Sequence, residues 1–242
     1  MGPNGCGKST LAKHFNGVLV PTSGDVFVDG LNTKEEKNYF EIKKKIGMVF
    51  QNPDSQIITS TVEEEIAFGL ENLQIPPIEM NSIIKNILNL VELNGMEKTS
   101  TYCLSGGQKQ RLSIASVLAM KPEMIVLDEP TSMLDPGGRK KVMKIIENLH
   151  STGTTVLLIT HSVEESLKSQ RVVIMDKGQI VSQGNPKEIF SNVDFIENNK
   201  FDIPESTDIL YRIKKHGYEV SLKAFESKNC ADEIIKLLEN NV

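Results

Sequence analysis

Apolar and polar positions along the chain follow two periods in turn. Ile46-Gly47-Met48-Val49-Phe50, Met124-Ile125-Val126-Leu127 and the stretch from Thr154 to Thr160 are short, nearly continuous apolar runs, the pattern of strands buried on both faces. Between them, apolar residues recur at helical spacing: Ile66, Phe68 and Leu70; Ile83, Ile84, Ile87, Leu88 and Val91; Leu112, Ala115 and Ala119; Val142, Ile145, Ile146 and Leu149. Start and stop signals bracket these helices. Thr61 with Glu64, and Ser105 with Gln108, have capping-box spacing. Asp135-Pro136 opens a helix that Gly153 ends. Near the front, Leu11 and Phe15 share one helical face before Gly17 stops the helix. Val26-Phe27-Val28 reads as a short strand closed by Asp29-Gly30, and residues 34–45, rich in Lys and Glu, as an exposed helix. Val172 to Met175 and Gln179 to Ser182, joined by Asp176-Lys177-Gly178, read as a hairpin.

Strands alternating with helices imply an α/β fold with a mainly parallel core sheet and helices on both faces. The pattern changes after residue 195. Residues 196–203 read as a linker, and 204–242 as a small C-terminal α/β extension: a helix over about 205–215, a strand from Tyr218 to Leu222 and a helix over about 229–239. That extension is too short to hold much core alone and must pack on the main body or on another chain.

Composition changes this picture only a little. The chain has 242 residues, enough for one large domain plus an appendage; 39% hydrophobic and 24% charged residues are usual for a globular protein. A net charge of −5 argues against nucleic acid as a partner. Cys6, Cys103 and Cys230 are too few and too far apart for a disulfide framework or a zinc site, which points to a reducing compartment. No apolar run approaches the length of a membrane span.

The chemistry is concentrated at the ends of the apolar runs. Gly2-Pro3-Asn4-Gly5-Cys6-Gly7-Lys8-Ser9 has the G-x-x-x-x-G-K-[ST] spacing of a phosphate-binding loop, followed by Thr10. Its glycines let backbone N–H groups converge on an anion, and the next helix points its positive end at the same place. Lys8 adds a cation for the β- and γ-phosphates, and Ser9 a hydroxyl for Mg²⁺. Ser105-Gly106-Gly107 at a helix start is a second phosphate-binding design, although a plain N-cap with permissive glycines reads equally well. Asp128-Glu129 ends a buried strand, where a metal-organising carboxylate and a water-activating one are expected beside a phosphate loop. His161 lies just past another strand on the same sheet edge.

Together these motifs resemble the ATP-binding-cassette ATPases, over about residues 1–195. The phosphate loop matches Gly2 to Ser9, the Q-loop Gln51, the LSGGQ signature Leu104 to Gln108, the Walker B carboxylates Asp128 and Glu129, the D-loop Ser132 to Asp135, and the switch histidine His161. The stretches Val49 to Gln56 and Thr61 to Asn72, and the tail from Asp202 to about Tyr218, are similar to the energy-coupling-factor transporter ATPases.

The resemblance implies a P-loop ATPase domain over 1–195, with a helical signature subdomain at about 61–118. It implies ATP and Mg²⁺ as ligands: Gly2, Pro3, Asn4, Gly5, Cys6, Gly7, Lys8, Ser9 and Thr10 around the phosphates, and Ser9, Gln51 and Asp128 around the metal. Glu129 would be the general base, with His161 and Lys8 on the γ-phosphate. Ser105, Gly106, Gly107 and Gln108 of a second, head-to-tail ATPase subunit would close the site, with Asp135 tying the two sites together. Implied partners are that second subunit, identical or paralogous, a transmembrane coupling protein and a substrate-binding membrane protein, at the cytoplasmic face of the cell membrane. The family carries a further strand ahead of its phosphate loop, on a segment of about thirty residues, so a shortened front is expected here. Two other readings compete. A soluble cassette protein acting on ribosomes or DNA usually has two cassettes or a coiled-coil insertion, and neither is present. A non-catalytic fragment is opposed by the intact Glu129 and His161 and favoured by the shortened front.

Overall fold

The computed structural model describes residues 1–198 and 204–240. Its contacts group the chain into two compact bodies, Ser9–Ile159 and Met1–Lys8 with Thr160–Val242. The division cuts across the expected 1–195 domain.

In the first body the helix α1 (Lys8–Phe15), which begins at the junction, leads to a short antiparallel pair, β1 (Phe27–Val28) and β2 (Leu31–Asn32). Leu11 of α1 is exposed, and the apolar residue that α1 buries is Ala12, beside the half-buried Phe15. The Lys/Glu-rich stretch becomes a 3-10 turn and then α2 (Tyr39–Lys45), which is mostly exposed around the fully buried Ile42. The buried runs form a parallel sheet in the order β3 (Ile46–Val49), β4 (Met124–Asp128), β5 (Thr155–Ile159). Val49 stands opposite Leu127, and Asp128 opposite Ile159. Every residue of β3 is buried, which explains its continuous apolar run, whereas Val156, Leu157 and Leu158 of β5 are only half-buried.

Helices α3 (Val62–Asn72), α4 (Pro77–Leu90) and α5 (Gly106–Ala119) are inserted between β3 and β4, and α6 (Pro136–Ser151) connects β4 to β5. Their apolar faces, including Ile66, Leu70, Leu88, Leu112 and Val142, share one core with Ile125 and Leu127 of the sheet. Both expected capping boxes form in full: Thr61 with Glu64, and Ser105 with Gln108.

The second body holds α7 (Val163–Leu167) and the hairpin β6 (Val172–Asp176) with β7 (Gln179–Gly184). Met1 pairs with β6, its amine donating to Val173 O (2.7 Å) and its carbonyl accepting from Met175 N (2.9 Å). Then come α8 (Pro186–Ser191), α9 (Val193–Asn198), α10 (Glu205–Lys215) and α11 (Ser227–Asn240). Helix α9 reaches into the expected linker, and residues 199–203 lie outside the described residues. The tail has a small core of its own, Leu210, Ala224 and Cys230, and Ser206 Oγ donates to Phe225 O (2.7 Å). The expected strand from Tyr218 to Leu222 is absent. Among the described residues no neighbouring strand pairs with it. Val220 and Leu222 instead pack on the helical core, and Ser221 N donates to the Glu233 carboxylate (3.1 Å).

Candidate functional site

In the Met1–Lys8 and Thr160–Val242 body, the first residues form a tight loop. Gly2, Gly5 and Gly7 have φ of +148°, +77° and +101°. At Gly2 a Cβ would fall 2.1 Å from Met175 O, so only glycine fits. The buried Lys8 folds its ammonium back onto the carbonyls of Gly2 (2.9 Å) and Pro3 (3.0 Å). It also lies 3.9 Å from Cys6 Sγ. Burial, aided by the Lys8 charge, pushes the Met1 amine down to about 6. Because α1 starts at Lys8, the N–H groups of its first turn have no intrahelical partner. His161 is exposed, between Thr160 and the Ser162 that caps α7.

In the Ser9–Ile159 body two pairs of expected site residues meet. Ser9 Oγ donates to Asp128 Oδ1 (2.9 Å), and Gln51 Nε2 donates to Glu129 Oε2 (2.8 Å). Parallel register places Asp128 and Glu129 at the carboxyl end of β4, where an open α/β sheet binds its ligands. Glu129 has φ of +48°, a left-handed backbone rarely adopted by a residue with a side chain. Its N–H bonds to Ile159 O (2.9 Å), and its carbonyl accepts from Ser132 N and Oγ (3.2 and 3.0 Å). Such over-determined strain is characteristic of functional positions.

The Q-loop is tied to the signature helix. Gln56 accepts from Phe50 N (3.0 Å) and donates to Ser113 O (3.3 Å), while Lys109 pairs with Asp54 (2.6 Å). At the start of α5, Gly106 and Gly107 carry no positive φ. A Cβ would meet nothing within 4 Å at Gly106 and only Leu134, 3.9 Å away, at Gly107. Glycine weakens a helix by about 1 kcal/mol relative to alanine. Nothing among the described residues requires it here, and the pair suits close approach by a group from outside. Asp135 caps α6, accepting from Gly138 N (3.1 Å). Thr10 is exposed.

Three side chains escaped sequence reasoning. Arg111 donates to the carbonyls of Val91 (2.8 Å) and Glu92 (2.9 Å) at the end of α4 and to Gly107 O (3.4 Å), fastening the signature helix to α4. Burial holds its pKa below the ordinary value, against the pull of Glu92. Its one sequence signal is a charge flanked by core positions. Glu65, 4% exposed, accepts from Ile58 N, Thr59 N and Thr59 Oγ1 within 3.0 Å and so closes the chain leaving the Q-loop. Glu165, also buried, accepts from the hydroxyl of Thr160, the residue before His161 (2.6 Å).

The sequence pattern of the ABC transporter family matches residues 1–132. The chain belongs to the ABC transporter family, in its energy-coupling-factor ATP-binding branch. It is 48% identical over 222 residues to the "Energy-coupling factor transporter ATP-binding protein EcfA1" of Clostridium novyi (strain NT), covering 91% of this chain and 79% of that protein. It is 41% identical over 234 residues to the "Cobalt import ATP-binding protein CbiO" of Syntrophus aciditrophicus (strain SB), covering 97% and 84%. Among solved structures, cbiO1 from Clostridium perfringens, described as part of the ABC transporter complex cbiONQ, superposes with a TM-score of 0.74 at 35% identity, covering 88% of this chain and 85% of that one. The family binds ATP and couples its hydrolysis to transport.

Proposed function

We propose that this chain hydrolyses ATP within a head-to-tail pair of ATPase subunits at the cytoplasmic face of a membrane. It thereby drives uptake of a micronutrient, a vitamin or a transition-metal ion such as cobalt or nickel, that a separate membrane protein selects. The observation that carries the catalytic part is the contact of Gln51 with Glu129 at 2.8 Å, beside Ser9 and Asp128 at 2.9 Å. Among the described residues no helix is long and apolar enough to cross a membrane. In this reading a separate transmembrane coupling protein carries the substrate path.

The loop Gly2 to Thr10 offers backbone N–H groups to the phosphates, and Lys8 turns from the Gly2 and Pro3 carbonyls towards them. The Ser9 hydroxyl, the Asp128 carboxylate and the Gln51 amide oxygen are hard donors of the kind that suits Mg²⁺, which keeps several waters and shares the substrate's phosphates. Bound Mg²⁺ supplies charge neutralisation on the phosphate oxygens. Glu129 accepts the proton of the attacking water, with Gln51 holding its carboxylate in place. His161 contacts the γ-phosphate. Ser105, Gly106, Gly107 and Gln108 of one subunit close over the ATP of the other, and Asp135 links the two sites. Catalysis is then positioning plus charge stabilisation in a closed site.

A mixing experiment tests the head-to-tail arrangement. Lys8→Ala disables one face of the composite site, and Gly107→Asp, whose Cβ meets only Leu134 at 3.9 Å, disables the other. Each variant alone is expected to be inactive, while the mixture regains part of the turnover, since one intact site forms per mixed pair. A mixture as inactive as its components contradicts the composite site.

A further inference from the structure

We propose that Glu165 is a positioning residue that, through Thr160, holds His161 in the geometry needed for hydrolysis; this rests on the ATPase reading above. His161 stands in a three-residue joint, Thr160-His161-Ser162, that leads into α7. Its neighbours on both sides are pinned while its own side chain is exposed. Thr160 Oγ1 donates to Glu165 Oε2 at 2.6 Å, and this bond is buried. The same Thr160 oxygen accepts from Ser162 N at 3.0 Å. Ser162 Oγ accepts from Glu165 N (3.3 Å), and Ser162 O accepts from Ser166 Oγ (3.0 Å). These bonds close a ring around the backbone of His161.

A carboxylate is a costly group to bury at this position. Glu165 is 5% exposed and Thr160 5% exposed, on a helix of only five residues. Taking a carboxylate out of water is costly, and an apolar side chain of similar volume is often as stabilising or more so. What a carboxylate adds is direction, because a short, charge-assisted bond to a hydroxyl fixes both partners' rotamers. Thr160 then cannot rotate, Ser162 N keeps its acceptor, and the peptide units flanking His161 cannot swing. A histidine that meets a phosphate only in the closed site gains from a backbone that is already set. The cost of a misplacement of about 1 Å at such a group is about a hundredfold in rate.

The test is single-turnover ATP hydrolysis by the full chain, with Glu165→Ala, Glu165→Gln, Thr160→Val and His161→Ala, and Glu165→Ala combined with His161→Ala. Thermal midpoints and the KM for ATP are recorded alongside. Glu165→Ala is expected to lower the chemical rate roughly ten- to a hundredfold with KM little changed. Glu165→Gln, whose amide oxygen still accepts from Thr160, recovers part of the loss. Thr160→Val, nearly the same shape, loses rate without loss of fold. In the His161→Ala background, Glu165→Ala has no further effect. Equal losses with and without His161 overturn the inference, because Glu165 would then act on the fold alone. So do Thr160→Val rates equal to wild type, which also settle the matter if Glu165→Ala does not fold. Failure of the wild-type chain to hydrolyse ATP overturns the ATPase reading and this inference with it. Wild-type hydrolysis that survives His161→Ala overturns only this inference and the role given to His161.

Discussion

At Gly2 the left-handed backbone and the Met175 carbonyl together exclude a side chain. Gly2→Ala is therefore expected to destabilise the chain by at least about 1–3 kcal/mol, since a main-chain carbonyl moves only with its strand. Urea unfolding checks this, and a loss within about 0.5 kcal/mol, usual for a surface change, contradicts it. The same residue was legible in the sequence for another reason, its place in the phosphate-loop spacing. Motif spelling also singled out Ser9, Gln51, Asp128 and Glu129 as candidates: Gln51, Asp128 and Glu129 follow or close apolar runs, and Ser9 ends the phosphate-loop pattern. The left-handed conformation of Glu129 was not legible, since no residue type signals a strain that the surrounding turn imposes. Nor were Glu65 and Glu165. In a list of residues a buried carboxylate looks like any other helical Glu until its donors are placed around it.

At the scale of the element, side-chain charges fasten the inserted helices. Glu65→Ala leaves the N–H groups of Ile58 and Thr59 without their acceptor and is expected to cost about 3 kcal/mol in urea unfolding. A change no larger than that of a neighbouring exposed Glu contradicts this. Glu92, at the end of α4, meets Lys141 of α6 at 3.0 Å, and Arg111 of α5 lies 3.9 Å away. Lys141, with a smaller pull from Arg111 and Lys144, holds the Glu92 carboxyl below its usual pKa of 4.5. A depressed carboxyl pKa favours the native state above the unfolded value, and that contribution disappears as pH falls through the native one. Wild type is thus expected to exceed Glu92→Gln in stability by a small margin, below about 1 kcal/mol for so exposed a pair, at neutral pH. The margin is expected to shrink as pH drops below 4.5. A constant margin across that range contradicts the linkage. Helix starts were legible because Thr61 and Ser105 carry their caps locally, within the next three residues. The segment Tyr218 to Leu222 was misread for the complementary reason. Alternating apolar residues satisfy a helical groove as well as a ladder, and only tertiary context decides which.

At the scale of the whole molecule, the chain joins its two bodies at Lys8–Ser9 and at Ile159–Thr160, so both joints fall beside residues assigned to the reaction. Each body has its own core: the Leu112, Ile125 and Leu127 cluster in one, and the Val163, Ile174 and Phe190 cluster in the other. The α/β class followed from strand–helix alternation, whereas this grouping depends on contacts distant in sequence, which periodicity does not encode. In the proposed reaction Glu129, held by Gln51, activates water for ATP hydrolysis. The most direct measurement is Mg²⁺-dependent ATP turnover of the wild-type chain against Glu129→Gln, with ATP binding measured on both. Loss of turnover by about a hundredfold or more in the variant, with binding retained, is the expected result. Turnover by Glu129→Gln at the wild-type rate would contradict it.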